Sequence, residues 1–165
     1  NLDMVLEAFL MINRACPASR LFLVGIGPYE EELRTMTASM GLDSRVTIIG
    51  RPLSRRTLTN YYAGADLFIY AATTETQGII ISEAQAVGLP VVAVGANGVA
   101  EMVNEGFDGF LTTPSAAALA ERSLAVLQNE ELRRRLSNQA RDSAKQISAS
   151  ATAARMAKAY QALLD

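Results

Sequence analysis

Two acidic residues, Glu75 and Glu83, stand eight positions apart in a 165-residue chain that has no histidine. Between them runs Thr76-Gln77-Gly78-Ile79-Ile80-Ile81-Ser82, a polar turn that passes into an apolar stretch. Gly78 lets backbone approach a ligand closely. A helix starting just after it would leave the amides of Ile79 and Ile80 among its unpaired donors. The helix dipole adds positive potential there, which suits a phosphate. Glu75 would lie beside that anion site, with Glu83 one turn inside the helix. A carboxylate so placed can accept bidentate hydrogen bonds from vicinal hydroxyls, as in a ribose. The residues alone leave a plainer reading open, in which Glu83 pairs with an arginine and Glu75 is loop surface.

Composition narrows the chemistry. Without histidine, a Ser-His-Asp triad and a His-ligated metal site are excluded. An Asp-x-Asp cluster, a common way to hold a divalent metal, is also absent, so no metal is expected. The single cysteine, Cys16, allows no disulfide within the chain. A net charge of −2, with arginines only in short clusters (Arg55-Arg56 and Arg133 to Arg135), argues against a nucleic-acid partner. No apolar run approaches the roughly 18 residues of a membrane span, and no signal peptide is visible. The chain opens abruptly inside an apparent helix, which reads as a piece of a longer protein.

These residues need a scaffold, and the rest of the sequence supplies one. Leu2, Leu6, Phe9 and Leu10 have amphipathic helical spacing, ended by Pro17. Strands are expected over 20–25, 45–49, 66–71, 91–94 and 110–112. Helices are expected from Pro28 to about Met40, from a Ser54 cap to Ala63, and over 79–87, 99–103, 115–127, 130–147 and 151–164. Gly41 and Gly88 should stop the second and fourth helices. Short apolar strands alternating with helices predict an α/β domain: one Rossmann-like parallel sheet with helices on both faces. The alanine-rich tail should pack on one face of the sheet or cross to a neighbouring domain. Ligands of such sheets bind at the carboxyl ends of the strands. That points to the loops after Val24, Ile49, Ala71 and Val94, three of which hold glycine close to the strand end.

The run from Thr74 through Glu75, Gly78, Glu83 and Gly88-Leu89-Pro90-Val91-Val92-Ala93 resembles the Glu-x(7)-Glu segment of family 4 (group 1) retaining glycosyltransferases. Gly98-Val99-Ala100-Glu101-Met102-Val103 and Asp108-Gly109-Phe110-Leu111 resemble that family's next two elements. Upstream, Leu23-Val24-Gly25-Ile26-Gly27-Pro28, Val46-Thr47-Ile48-Ile49-Gly50 and Asn1-Leu2-Asp3 also fit, so the likeness runs along nearly the whole chain in order.

The resemblance implies one half of a GT-B fold, with residues 1–165 as the C-terminal nucleotide-sugar-binding domain. An N-terminal acceptor domain of the same enzyme and the first, central strand of this domain would lie outside the chain. It implies a catalytic role near the transferred sugar for Glu75 and ribose binding for Glu83. Gly78, Ile79 and Ile80 would meet the diphosphate and sugar through their backbone. Arg51, in the turn from Gly50 to Leu53, would lie nearest the nucleobase, and Gly25 and Gly27 would permit close approach of the donor. The expected substrate is a nucleotide-diphosphate sugar, a UDP-sugar before others, with no cofactor. The acceptor would be a hydroxyl on a sugar, a lipid or another compound. The expected location is cytoplasmic, with any attachment to the cytoplasmic membrane face residing in the other domain. Two departures stand out. Gln77 takes the place of the family's usual aromatic residue, and the Arg and Lys that clamp the donor diphosphate would precede Asn1. Two alternatives use the same architecture, a non-catalytic nucleotide-binding module and a sugar-nucleotide epimerase.

Overall fold

The computed structural model describes residues 1–163. Its elements run α1 (Leu2–Ala15), β1 (Leu21–Val24), α2 (Glu30–Ser39), β2 (Val46–Ile49), α3 (Arg55–Gly64), β3 (Phe68–Tyr70), α4 (Ile79–Ala86), β4 (Val91–Val94), α5 (Gly98–Met102), β5 (Gly109–Thr112), α6 (Ala116–Leu127), α7 (Glu130–Gln146) and α8 (Ala149–Gln161). Every strand pairing is parallel. The strands do not join into the single sheet expected. They form a pair, β1-β2, and a triplet, β3-β4-β5. The facing edges of β1 and β3 are unpaired and border a common cavity.

β4 shows why helices cover both faces. All four of its residues are buried, and successive side chains point opposite ways. Val92 and Val94 join a cluster with Val5, Leu6, Phe9 and Ile12 of α1 and Leu119 of α6. Val91 and Ala93 join the other, with Ile81 of α4, Val99 of α5 and Tyr62 of α3. The first cluster also takes in Leu21, Leu23 and Val46, so α1 packs across both sheets on one side.

Local chemistry sets the ends of the helices. The side chains of Ser54, Ser115, Asn129 and Ser148 each accept the amide three residues on, capping α3, α6, α7 and α8. The Ser148 cap starts α8 two residues before the expected 151, and the expected end at Leu164 lies outside the described residues. Gly41 (φ +69°) and Gly88 (φ +81°) take left-handed turns just past α2 and α4. Pro28 falls outside α2: Tyr29 takes the N-cap position, and the acidic run Glu30 to Glu32 fills the first turn. Of the expected tail, Ser115 to Asp165, α6 packs on β4 and β5, whereas α8 buries no side chain and lies against α7. Among the described residues no helix is long and apolar enough to cross a membrane.

Candidate active site

The loop from β3 to α4 carries Glu75, and its shape is set by hydrogen bonds to that one carboxylate. Oε1 accepts from the amides of Thr76 (3.0 Å), Gln77 (3.0 Å) and Gly78 (3.1 Å). Oε2 accepts from the Tyr70 hydroxyl at 3.1 Å. These donors favour the ionised form. The Glu75 carboxyl is therefore held below the usual carboxylate range, first by the Gln77 amide, then by Gly78 and Tyr70. Tyr70 moves the other way. Burial raises its pKa first, and the bond to Glu75 adds to the effect.

Gly78 is the N-cap of α4 at φ 64°, a conformation that costs glycine little. A Cβ there would also come within 2.7 Å of the Met102 Cγ. The amides of Ile81 and Ser82 both turn back to the Gly78 carbonyl, while those of Ile79 and Ile80 find no acceptor among the described residues. The loop is braced from the far side. Asn97 donates to the Thr73 carbonyl (2.6 Å), and the Gly98 amide donates to the Glu75 carbonyl (3.1 Å). Asn97 sits at φ 47°, a strained value for a non-glycine residue, where this bracing fixes it. Asn1 donates to the Ala71 carbonyl at 2.9 Å, tying the start of α1 to the same strand end.

Glu83 is exposed on α4 and makes no ion pair among the described residues, so the arginine-paired alternative does not hold. Its neighbour is Tyr62, whose pKa is pushed up to about 12, first by burial and then by the Glu83 charge and hydrogen bond. Glu75, Glu83, Ile79 and Ile80 all line one cavity of about 1250 Å³, together with Gly25 and Arg51. Neither Gly27 nor Gly78 lines it: Gly27 lies exposed in the loop after β1, beyond Ile26, and Gly78 is buried behind the helix start. A Cβ at Gly25 or Gly27 would meet nothing within 4 Å and neither has positive φ, so the fold itself does not demand glycine at either position. Sequence reasoning missed Tyr70 and the Tyr62–Glu83 contact. The signal was slight, because a strand-end tyrosine five residues before a glutamate belongs to no periodic pattern.

The residues matched by the glycosyl transferases group 1 family are 1–143, which takes in every part of this site. The chain belongs to that family. It is similar to a sulfoquinovosyl transferase of Arabidopsis thaliana, 34% identical over 112 residues that make up 66% of the chain and 21% of the relative. The chain thus spans about a fifth of that relative's length. Among solved structures, the C-terminal domain of a group 1 glycosyl transferase from Francisella tularensis superposes with TM-score 0.81 at 21% identity, covering 88% of this chain and 78% of that one. Anabaena HepE, solved with UDP and glucose, gives TM-score 0.77 at 27% identity over 93% of this chain and 44% of its own. The group 1 fold of this chain is therefore a GT-B glycosyltransferase domain.

Proposed function

We propose that this chain is the donor-binding, C-terminal domain of a retaining glycosyltransferase that moves a sugar from a nucleotide diphosphate to an acceptor hydroxyl. The observation that carries the reading is the convergence of Glu75, Glu83 and the unpaired Ile79 and Ile80 amides on one cavity. The leaving diphosphate gathers negative charge as the sugar departs. The α4 amides and dipole would stabilise it. Glu83, exposed and free of any ion pair among the described residues, can accept from ribose hydroxyls. Glu75, held ionised, would position sugar hydroxyls or stabilise positive charge at the anomeric carbon without serving as a covalent nucleophile. The leaving phosphate can itself take the acceptor proton on the same face, so no protein base is required. A UDP-sugar is the proposed donor, supported by the UDP and glucose of the similar HepE structure. A sugar, lipid or other hydroxyl compound is the proposed acceptor, held by an N-terminal domain of the same enzyme.

The cavity exceeds the roughly 300–1,000 Å³ of a typical ligand pocket. We further propose that a parallel strand from outside this chain fills part of it. Two unpaired parallel edges, Leu21 to Val24 and Phe68 to Tyr70, line that space and support the proposal.

Calorimetric titration of UDP, GDP and ADP into wild type and Glu83→Ala tests the ribose assignment. Loss of a charged hydrogen bond should weaken all three by about 1.5–3 kcal/mol. Equal affinities for wild type and variant would remove Glu83 from the site.

A further inference from the structure

Building on the reading above, we propose that Tyr70 is a positioning residue for Glu75, fixing the second carboxylate oxygen at the angle from which it meets the transferred sugar. The two oxygens of Glu75 are held differently. Oε1 is saturated by three amide hydrogens of its own loop, and that bonding leaves the carboxylate one rotational freedom, about the direction of Oε1. The Tyr70 hydroxyl removes it by donating to Oε2.

Tyr70 is suited to this because it is anchored in the sheet. It is the last residue of β3, paired in register with Ala93 of the buried strand β4. Its ring stacks on Phe68, two residues earlier on the same strand face, with centroids 5.8 Å apart and planes 20° apart. Phe68 in turn meets the Tyr62 ring edge-on, at 5.8 Å and 84°. Tyr62 lies near enough to Glu83 for that carboxylate to raise its pKa. Each acidic residue of the pair thus has its own tyrosine, and one phenylalanine holds both rings. A carboxylate bonded only by mobile loop amides would move whenever the loop does. One bonded to a sheet-anchored phenol keeps its place relative to the strand ends, where the donor lies.

A plain packing role for Tyr70 would need the ring but not the hydroxyl, and Tyr70→Phe separates the two. In the intact protein that carries this chain, the Glu75 carboxyl titration, followed by carbon NMR, should shift upward in Tyr70→Phe while thermal stability stays close to wild type. The reciprocal measurement is independent. Glu75→Gln should lower the titration midpoint of Tyr70, read from its own phenolic carbon by NMR in tyrosine-labelled protein. Affinity for UDP-glucose should fall about tenfold in Tyr70→Phe with UDP affinity retained, since only the sugar end is misaligned. An unchanged Glu75 titration, or an unchanged Tyr70 titration in Glu75→Gln should Tyr70→Phe not fold, would overturn the proposal. If wild type binds neither UDP nor UDP-glucose, the donor-site reading fails while the two titrations still decide the tyrosine's role.

Discussion

Gly98→Ala should push the Glu75 loop out of place, and the distance can be worked out. A Cβ at position 98 would lie against the Thr76 carbonyl oxygen, 2.5 Å from its carbonyl carbon and 3.0 Å from the Gln77 amide nitrogen. Carbon atoms settle at about 3.5–4.0 Å. The loop must therefore retreat by about 1 Å, because the clash is with backbone and no rotamer change relieves it. Retreat strains the Gly98–Glu75 and Asn97–Thr73 bonds that brace the loop. Overpacking of this kind costs about 1–3 kcal/mol. For a chain of this size each kcal/mol lowers Tm by roughly 2–4 °C, so the fall should be roughly 2–12 °C. The site should suffer more than stability does, since misplacement by about 1 Å near reacting groups can cost on the order of 100-fold in rate. Scanning calorimetry gives the Tm, and amide shifts of residues 76 to 80 report the displacement. Gly25→Ala is the control: its Cβ meets nothing within 4 Å, so Tm should hold while nucleotide affinity falls. A Gly98→Ala protein with wild-type Tm and wild-type amide shifts would refute the reasoning.

Two further outcomes follow from buried groups. Asp108 has no exposed surface and accepts from the Asn104 amide (2.9 Å), the Asn104 side chain (2.7 Å) and the Ser143 hydroxyl of α7 (2.6 Å). Asp108→Ala strands all three donors and should lower stability in urea by about 3 kcal/mol or more, whereas Ser143→Ala should cost about 1 kcal/mol. Tyr62 ionises near 12 in the folded chain against 10.0 ordinarily. The unfolded state therefore loses its proton first. The stabilisation is whole below pH 10 and disappears as pH rises from 10 to 12, falling by about 1.4 kcal/mol for each pH step of one across that window. Urea midpoints across that range should show a decline that Tyr62→Phe reduces, with Tyr70, whose pKa is also raised, carrying part of the remainder.

Much of the scaffold was legible because its punctuation is chemical. Pro90 and Gly95 bracket β4, and Gly78 and Gly88 bracket α4, so those elements fall within a residue of where spacing put them. The Glu75–Glu83 juxtaposition was legible for the same reason, since a helix starting at Ile79 fixes where both carboxylates emerge. Less legible was anything set across the fold. Gly98 looks like part of a Gly-rich turn, yet what it must avoid is Thr76, twenty-two residues earlier. The Tyr70 bond depends on how the loop folds back on its own strand, which no spacing rule states. Gly27 stands only two residues after Gly25, yet the turn after β1 carries it away from the cavity. The tail is amphipathic enough to form α8, but its pattern does not say what it covers, and in the structure its side chains stay unburied.

The break between the sheets bears directly on the site. Glu75, Glu83, Ile79 and Ile80 belong to the β3-β4-β5 side, while Gly25 and Arg51 follow β1 and β2 on the other. A donor that touches both groups has to bridge two sheets that share no ladder hydrogen bonds. On one face they are joined by α1, whose Val5, Phe9 and Ile12 pack with residues of both. On the other face Phe22 of β1 rests against Tyr61 of α3, centroids 5.7 Å apart, but remains 48% exposed, and Val24 is 38% exposed. Strands of a parallel sheet covered on both faces normally bury such side chains completely. The two halves of the site are thus joined by packing, through α1 on one face and the Phe22–Tyr61 contact on the other, a weaker constraint than a continuous ladder. On the donor-binding proposal, affinity would depend on the geometry of this gap as well as on the residues that touch the ligand, and the proposed strand pairing with both edges would stiffen the site.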